Sequence, residues 1–448
     1  MDREDQEVTL RRDLGPWAAA SIVVGTIIGT GVFLKTAVMA RQGGSPLWVL
    51  AAWVAAGALS FTGALTYAEL GAMYPRAGGE YVFLREGYGN GMAYLYAWNR
   101  FWIGTPGSIA AYGVGTATFV GQVLPLGHLG GKLFAIALVV ILTLVNCLRI
   151  IIGGAVQTVL TVMKVVMIVG LAGGALVFAR DGHLSRVLAT GAGFPGWSAF
   201  GAMVLAALWA YDGWNNLPMA AGEVRDPQRT LPRAIIWGSL GVLAIYLVVN
   251  VGYFNALPFS AVASSTSVAQ DTAATFLGST SQVVLAIAIA ISAISAMNGS
   301  TLTGARVPYA VAVDGLAPRA FAKLSRATRV PVIAVIVQGL VASVYCMLGG
   351  FDELTDAVVF VSWLFYAMNA GTVLRLRRRE PDRERPFRVP GYPLVPLVFI
   401  ALAALLILNA IWAAPEASAL GLGATALGAI VYVAFYAPRR ASKPTSSS

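Results

Sequence analysis

Runs of about 20 apolar residues recur along the chain between short polar stretches, and each run is long enough to cross a bilayer core as a helix. In order they predict twelve spans, at about 15–40, 46–73, 90–122, 132–150, 155–179, 196–221, 232–256, 280–310, 331–348, 354–374, 393–413 and 417–437. Two spans are interrupted. Ser21 to Phe33 reads Ser-Ile-Val-Val-Gly-Thr-Ile-Ile-Gly-Thr-Gly-Val-Phe, which sets Gly25, Gly29 and Gly31 where a spanning helix reaches mid-depth. Glycine costs roughly 1 kcal/mol per helix position relative to alanine, and glycine with threonine favours local unwinding, which bares backbone N–H and C=O groups. Within a bilayer such backbone persists only around a protein-lined cavity. The second interruption is Leu208-Trp-Ala-Tyr-Asp-Gly-Trp-Asn215, in span six. Gly25 and Gly29, spaced i, i+4, would also make a helix-packing groove; Thr30, Gly31 and the second interruption shift the reading to a cavity.

The two breaks lie five spans apart. An odd number of spans inverts a second copy relative to the first, so spans 1 to 5 and 6 to 10 are candidate inverted repeats, each opening on a broken helix. The predicted fold class is therefore all-α integral membrane, with 12 transmembrane helices in a 5+5 inverted repeat plus two peripheral helices. The domain reading is a tail at 1–14, repeats at 15–180 and 195–375, peripheral helices with their basic loop at 376–437, and a disordered tail at 438–448.

Composition agrees with a membrane solvent. With 57% hydrophobic and 12% charged residues and a mean hydropathy of +0.72, the chain is too apolar for an ordinary soluble protein. The first apolar segment follows the charged run Met1 to Asp13, without a short apolar region and cleavage site, so the first helix is expected to be retained. A net charge of +10 would suit nucleic acid, but the basic residues gather on one side of the predicted spans. With the N-terminus inside, only Lys35, Arg41, Lys132, Arg180 and Arg186 fall outward, while Arg100 and Lys164 fall within spans. That asymmetry predicts cytoplasmic termini and no nucleic-acid partner. It also places the run Arg375 to Arg388 against anionic lipid headgroups. An Ala/Gly/Arg-rich composition with compact loops points to a bacterial inner membrane.

Other chemistry is sparse. Cys147 and Cys346 sit in apolar runs, so no disulfide framework is legible. His128 and His183 are isolated, and no nucleophile triad or phosphate loop is evident, so no catalytic residue, metal or cofactor is expected. Three loops look structured. Tyr74 to Arg85 reads as a short interfacial helix, Val313 to Leu324 as a similar one, and Phe259 to Phe276 as an outward lid. Among intramembrane charges, Glu69 and Arg100 lie near span ends and are expected in loop-facing positions or gate ion pairs. Lys164, alone in span five, is expected to face the bundle interior, where such residues are functional by default.

The breaks themselves suggest a ligand. Where a half-helix starts, unpaired N–H groups and the positive dipole end attract an anion. Where the preceding half stops, free carbonyls attract a cation or ammonium group. A zwitterionic amino acid matches both.

Val24-Gly-Thr-Ile-Ile-Gly-Thr-Gly-Val-Phe33 resembles the first-helix signature of amino acid/polyamine/organocation transporters, in particular the L-type amino acid transporter branch, with Gly-Thr-Gly where Gly-Ser-Gly is usual. The resemblance continues through Ala210-Tyr-Asp-Gly-Trp-Asn215, Glu223 to Pro232, Met297-Asn-Gly-Ser300 and Arg385 to Pro390, and so covers most of the chain. It implies a LeuT-like fold working by alternating access, with Gly29, Thr30 and Gly31 offering amides to a substrate carboxylate. It also implies that carbonyls near Ile27 and from Trp209 through Ala210 to Asp212 hold the amino group, with Gly213 in the second break, Trp209 as an aromatic gate and Asn215 as a pocket amide. Asp212 departs from the eukaryotic branch, where glycine is usual, which leaves its carboxylate either to face substrate or to pair elsewhere.

By the same resemblance Lys164 occupies the place of a sodium ion in sodium-coupled relatives, tying span five to the break at Gly25 and to the hydroxyls of Ser292 and Ser295. Ala296 stands where some relatives have serine. The implied activity is sodium-independent permeation or exchange of L-amino acids, with Lys164 a fixed ion substitute or a proton carrier. The alternatives are a polyamine or organic-cation carrier and a non-transporting amino acid receptor. In heteromeric animal relatives a cysteine between spans three and four links an ancillary glycoprotein; Gln122 to Lys132 has none, so no disulfide-linked subunit is expected.

Overall fold

The computed structural model describes residues 9–121, 123–187, 193–348, 351–413 and 415–437, side chains excepted at 351–361, 413 and 417. In chain order the helices are α1 Pro16–Ile27, α2 Gly31–Ala40, α3 Pro46–Met73, α4 Glu80–Tyr88, α5 Asn90–Asn99, α6 Thr105–Gly121, α7 Gly127–Asn146, α8 Ile150–Val177, α9 Trp197–Ala210 and α10 Asn216–Met219. They continue as α11 Pro227–Ala256, α12 Phe259–Ser264, α13 Val268–Leu277, α14 Ser281–Gly304, α15 Arg306–Val313, α16 Val332–Leu348, α17 Phe351–Arg379, α18 Leu394–Ala413 and α19 Pro415–Phe435.

Among the described residues, eight helical stretches are long and apolar enough to cross a membrane: 16–40, 46–73, 127–146, 150–177, 227–256, 268–313, 394–412 and 418–435. Each coincides with a predicted span. The other four predicted spans fall on helices that are divided, short or charged. Span three is split by a π-helical turn, Arg100–Gly104; span six ends at Ala210 after 14 residues; span nine has 17; α17 closes on Arg377, Arg378 and Arg379. Large apolar side chains such as Leu133, Leu144, Val159, Val166, Leu340, Leu405 and Ile430 lie exposed on the helices outside the centre. An outer surface of this kind is stable only in an apolar solvent.

The broken helix is central. α1 packs against α8, α11 and α14, and α2 against α9 and α12. Ala19, Ile22 and Val23 are fully buried. Small residues permit the close crossings: a Cβ added at Gly299 of α14 would lie 2.5 Å from the Thr26 methyl, and one at Gly304 2.3 Å from that of Thr105.

Polar ties close one end of the bundle. Leu14 N–H donates to the Glu223 carbonyl at 2.9 Å and Arg225 N–H to the Leu14 carbonyl at 2.9 Å, a parallel bridge between Leu14 and Val224. Beside it the Arg306 guanidinium holds Glu223 at 2.6 and 3.1 Å, both side chains being essentially inaccessible. Arg306 also donates to the Leu302 carbonyl.

Three loop readings are refined. The helix expected near Tyr74 to Arg85 forms as α4. Its expected counterpart at Val313 to Leu324 is reduced to one 3-10 turn, Arg319–Ala322, because Gly315 adopts a left-handed φ of 75° and Pro318 prevents a helix from continuing through it. The stretch Phe259 to Phe276 forms α12 and α13, held to α2 by Arg41, which donates to the carbonyls of Ala263 at 3.0 Å and Ser265 at 2.8 Å. The basic run Arg375 to Arg388 is more than a lipid anchor. Arg377 grips the buried Glu69 carboxylate at 3.0 and 2.6 Å, Arg385 lies 3.5 Å from it, and Val389 N–H donates to it at 2.7 Å. Arg383 stacks on Tyr74 at 4.4 Å.

Candidate functional site

Helix α1 ends at Ile27, Ile28 turns extended (φ −74°, ψ 94°), and α2 restarts at Gly31. The carbonyls freed by the break are taken up from two neighbouring helices. Lys164 Nζ on α8 donates to the carbonyls of Gly25 at 2.8 Å, Ile28 at 2.5 Å and Ser292 at 2.9 Å. Ser292 Oγ on α14 donates to the carbonyls of Ile28 and Gly29, each at 3.1 Å. Lys164 thus occupies the interior expected of it, with one correction: it engages the main chain of Ser292 rather than a hydroxyl. Ser295 does not reach it. The Ser295 hydroxyl lies 3.4 Å from both Gln157 and Thr161, which in turn reach the Ser21 carbonyl at 3.3 and 3.0 Å.

The second break crosses the first. Gly213 has a φ of 132°, which L side chains rarely adopt, and a Cβ there would lie 2.7 Å from the Thr26 carbonyl. Thr26 Oγ1 donates to the Gly213 carbonyl at 2.9 Å. A Cβ at Gly31 would lie 2.6 Å from that of Ala210. Tyr246 on α11 spans both breaks, its hydroxyl donating to the carbonyls of Ala210 at 2.9 Å and Ile27 at 3.3 Å. Each of those oxygens keeps a second lone pair.

Between the breaks lies a cavity lined by Thr26, Ile27, Gly29, Gly31, Trp209, Ala210, Asp212, Gly213 and Asn215, with Arg100, Ser108, Ala111, Tyr112, Asn216, Ser300, Ser362 and Tyr366. Eight of the nine residues assigned to substrate binding are therefore brought together. Thr30 is buried without facing the cavity, its Oγ1 lacking a partner, whereas Lys164, Gly25, Ser292 and Ser295 stand behind the first break. The Lys35 ammonium lies 4.9 Å from the Trp209 ring. Trp214 is buried, not lipid-facing, and donates to the Ser60 hydroxyl at 3.1 Å. Asn215 Nδ2 donates to the Tyr366 hydroxyl at 2.8 Å, and that hydroxyl donates to Asp212 Oδ2 at 3.4 Å.

Arg100 corrects the sequence reading most. It is neither loop-facing nor in a gate ion pair among the described residues; it is buried, lines the cavity, and donates to Asn216 Oδ1 at 2.7 Å. The π-helical turn that begins at Arg100 inserts a residue into the helical repeat and so changes which face points inward. Gln157 and Thr161 were also missed, although with Lys164 they recur at i, i+4, i+7 on one face of α8, a legible polar stripe.

The glycines supply a contrast. Gly213→Ala is expected to destabilise the protein by about 1–3 kcal/mol and to weaken ligand binding at the cavity at least about tenfold, because the methyl has no space and the φ is unsuitable. Gly29→Ala meets only Tyr112, at 3.8 Å, so it should keep the wild-type unfolding midpoint and weaken binding only by intruding on the cavity. Thermal unfolding in detergent beside ligand titration separates the two outcomes.

The sequence model of a family described as amino acid permease matches residues 14–436. The chain is 32% identical over 431 residues to the b(0,+)-type amino acid transporter 1 of Mus musculus, covering 92% of this chain and 87% of that one. It is 33% identical over 399 residues to the serine/threonine exchanger SteT of Bacillus subtilis (strain 168), covering 88% and 89%. With the Asc-type amino acid transporter 1 of Mus musculus it shares 29% over 426 residues, covering 93% and 80%.

Proposed function

The chain belongs to the amino acid permease family, and on that premise we propose that it exchanges L-amino acids across a bacterial inner membrane by alternating access, without sodium. The carrying observation is the crossing of two helix breaks at one cavity. The main chain entering α2 at Gly29 and Gly31 offers amides to an anion, and the carbonyls of Ile27 and Ala210, each with a lone pair to spare, offer acceptors to an ammonium group. An α-amino acid, whose carboxylate and amine flank one carbon, carries the group that each of them would take.

Sodium independence rests on Lys164. An ammonium group held by three carbonyls has the charge and the oxygen ligands of a bound sodium ion, so the cation that stabilises the break is part of the chain. In this reading the chain crosses the membrane twelve times, with both termini cytoplasmic, as two inverted five-span repeats, 15–180 and 195–375, and two peripheral spans within 376–437. The relatives are transporters, which favours carriage over a receptor that binds without flux.

Proteoliposomes test the proposal directly. Uptake of a labelled L-amino acid is expected to be saturable, stimulated by internal amino acid, and unchanged when choline replaces sodium. Saturable binding with neither uptake nor exchange would establish the receptor, and a strong sodium requirement would overturn the role given to Lys164. Asp212 gives specific support to a second reading, an organic-cation carrier. Competition by the decarboxylated analogue of a transported amino acid, as strong as by the parent, would favour it.

A further inference from the structure

The cavity is lined by a carboxyl, Asp212, and a guanidinium, Arg100, and Arg100 has no place in the binding scheme above. Its guanidinium is held by Asn216 through Nη2, while its Nε, like Asp212 Oδ1 and Asn215 Oδ1, is buried without a hydrogen-bond partner. All three residues line the cavity. Asn215 Nδ2 and Asp212 Oδ2 both meet the Tyr366 hydroxyl. Guanidinium N–H groups and two acceptor oxygens thus remain unused, on side chains whose other contacts hold them in place.

Glu80 is the other buried carboxyl near Arg100, but it is not a cavity group. Its two oxygens accept from Tyr67 and Tyr96, each at 2.5 Å. Asp212 is then the carboxyl that shares the cavity lining with Arg100.

Resting on the amino acid exchange proposed above, we infer that Arg100 is a specificity-determining residue, and that the site selects uncharged polar side chains carrying both a donor and an acceptor, the hydroxyl or carboxamide class. A lysine-like side chain would find Asp212 but bring its charge against Arg100; a glutamate-like one would find Arg100 and be repelled by Asp212. Like charges in a site closed to water are strongly unfavourable. An aliphatic side chain would leave the three buried, unpartnered atoms unsatisfied, which is what makes a polar site reject an apolar analogue. A hydroxyl or carboxamide accepts from Arg100 Nε and donates to the carboxylate or amide oxygen.

The test is a competition panel in proteoliposomes, read as inhibition constants against one labelled substrate that exchanges. For wild type, L-serine, L-threonine, L-asparagine and L-glutamine are expected to bind at least tenfold more tightly than L-leucine, L-lysine or L-glutamate. Arg100→Gln should remove the bar to cations, tightening L-lysine at least tenfold while weakening the hydroxyl and carboxamide substrates. Asp212→Asn should do the same for L-glutamate. Wild-type protein that takes L-lysine or L-leucine as well as L-serine overturns the inference while leaving amino acid exchange intact. An Arg100→Gln variant that folds and keeps the wild-type ranking also overturns it. If no L-amino acid exchanges at all, the functional proposal fails with it. Should Arg100→Gln fail to fold, the wild-type panel and Asp212→Asn still decide.

Discussion

Lys164→Met is expected to lose more than tenfold in exchange rate and to unfold at a lower temperature, by about 2 kcal/mol or more in stability. Methionine keeps much of the side-chain length, so the loss measures the ammonium group rather than a void. Without it the Gly25 carbonyl, just before the end of α1, loses its side-chain donor. The Ile28 carbonyl keeps only the Ser292 hydroxyl at 3.1 Å. A buried polar group left unpaired costs about 1–3 kcal/mol, and here the cost falls on the segment proposed to present its amides and carbonyls to substrate. Lys164→Arg should fare little better, since a planar guanidinium cannot direct three N–H groups from one nitrogen at three carbonyls. Initial exchange rates and thermal unfolding in detergent check both. Wild-type values for Lys164→Met would mean that the break holds its shape unaided.

The second large effect is expected at Arg306. Arg306→Met should destabilise the protein by about 3–5 kcal/mol, because it strands a fully buried Glu223 carboxylate. Adding Glu223→Gln should recover much of that loss, since the desolvated charge is then gone as well. Unfolding midpoints for the single and double variants form a double-mutant cycle, in which a coupling near zero would show that Glu223 is solvated. Transport separates stability from mechanism: Glu223 closes the segment after α10, so the stable double variant should still exchange more slowly if that segment must hold shut during the cycle.

Much of the site could be read from residue types, because its essential feature is a failure of helix. Glycines at mid-span and the Tyr-Asp-Gly-Trp run disclose two breaks in main-chain geometry, and the structure joins them at Gly31 with Ala210 and at Gly213 with Thr26. A lone lysine in an apolar span was equally legible, since nothing but the interior can hold it. The partners of Lys164 were not. Which atom of Ser292 it meets depends on the axial offset between α8 and α14, and no periodicity encodes that offset. Arg100 was misplaced for a related reason. Arg100 falls about ten residues into predicted span three and reads as near its end, but the π-helical turn at Arg100 alters the helical phase, and a phase change is invisible to any fixed period. The pairing of Glu69 with Arg377 and Arg385 likewise depends on contacts some 300 positions apart in sequence.

The bridge between Leu14 and Val224 is made by peptide groups on both sides. Any residue but proline supplies the N–H at position 225, so the two bridging bonds between the segment entering α1 and the segment after α10 are indifferent to most substitutions there. Replacing the Arg225 side chain with alanine removes its Nε bond to the Arg12 carbonyl at 3.2 Å but leaves both hydrogen bonds of the bridge standing. The two interrupted helices are thus coupled by a hinge pin of main chain, and side-chain scanning would pass over it in silence.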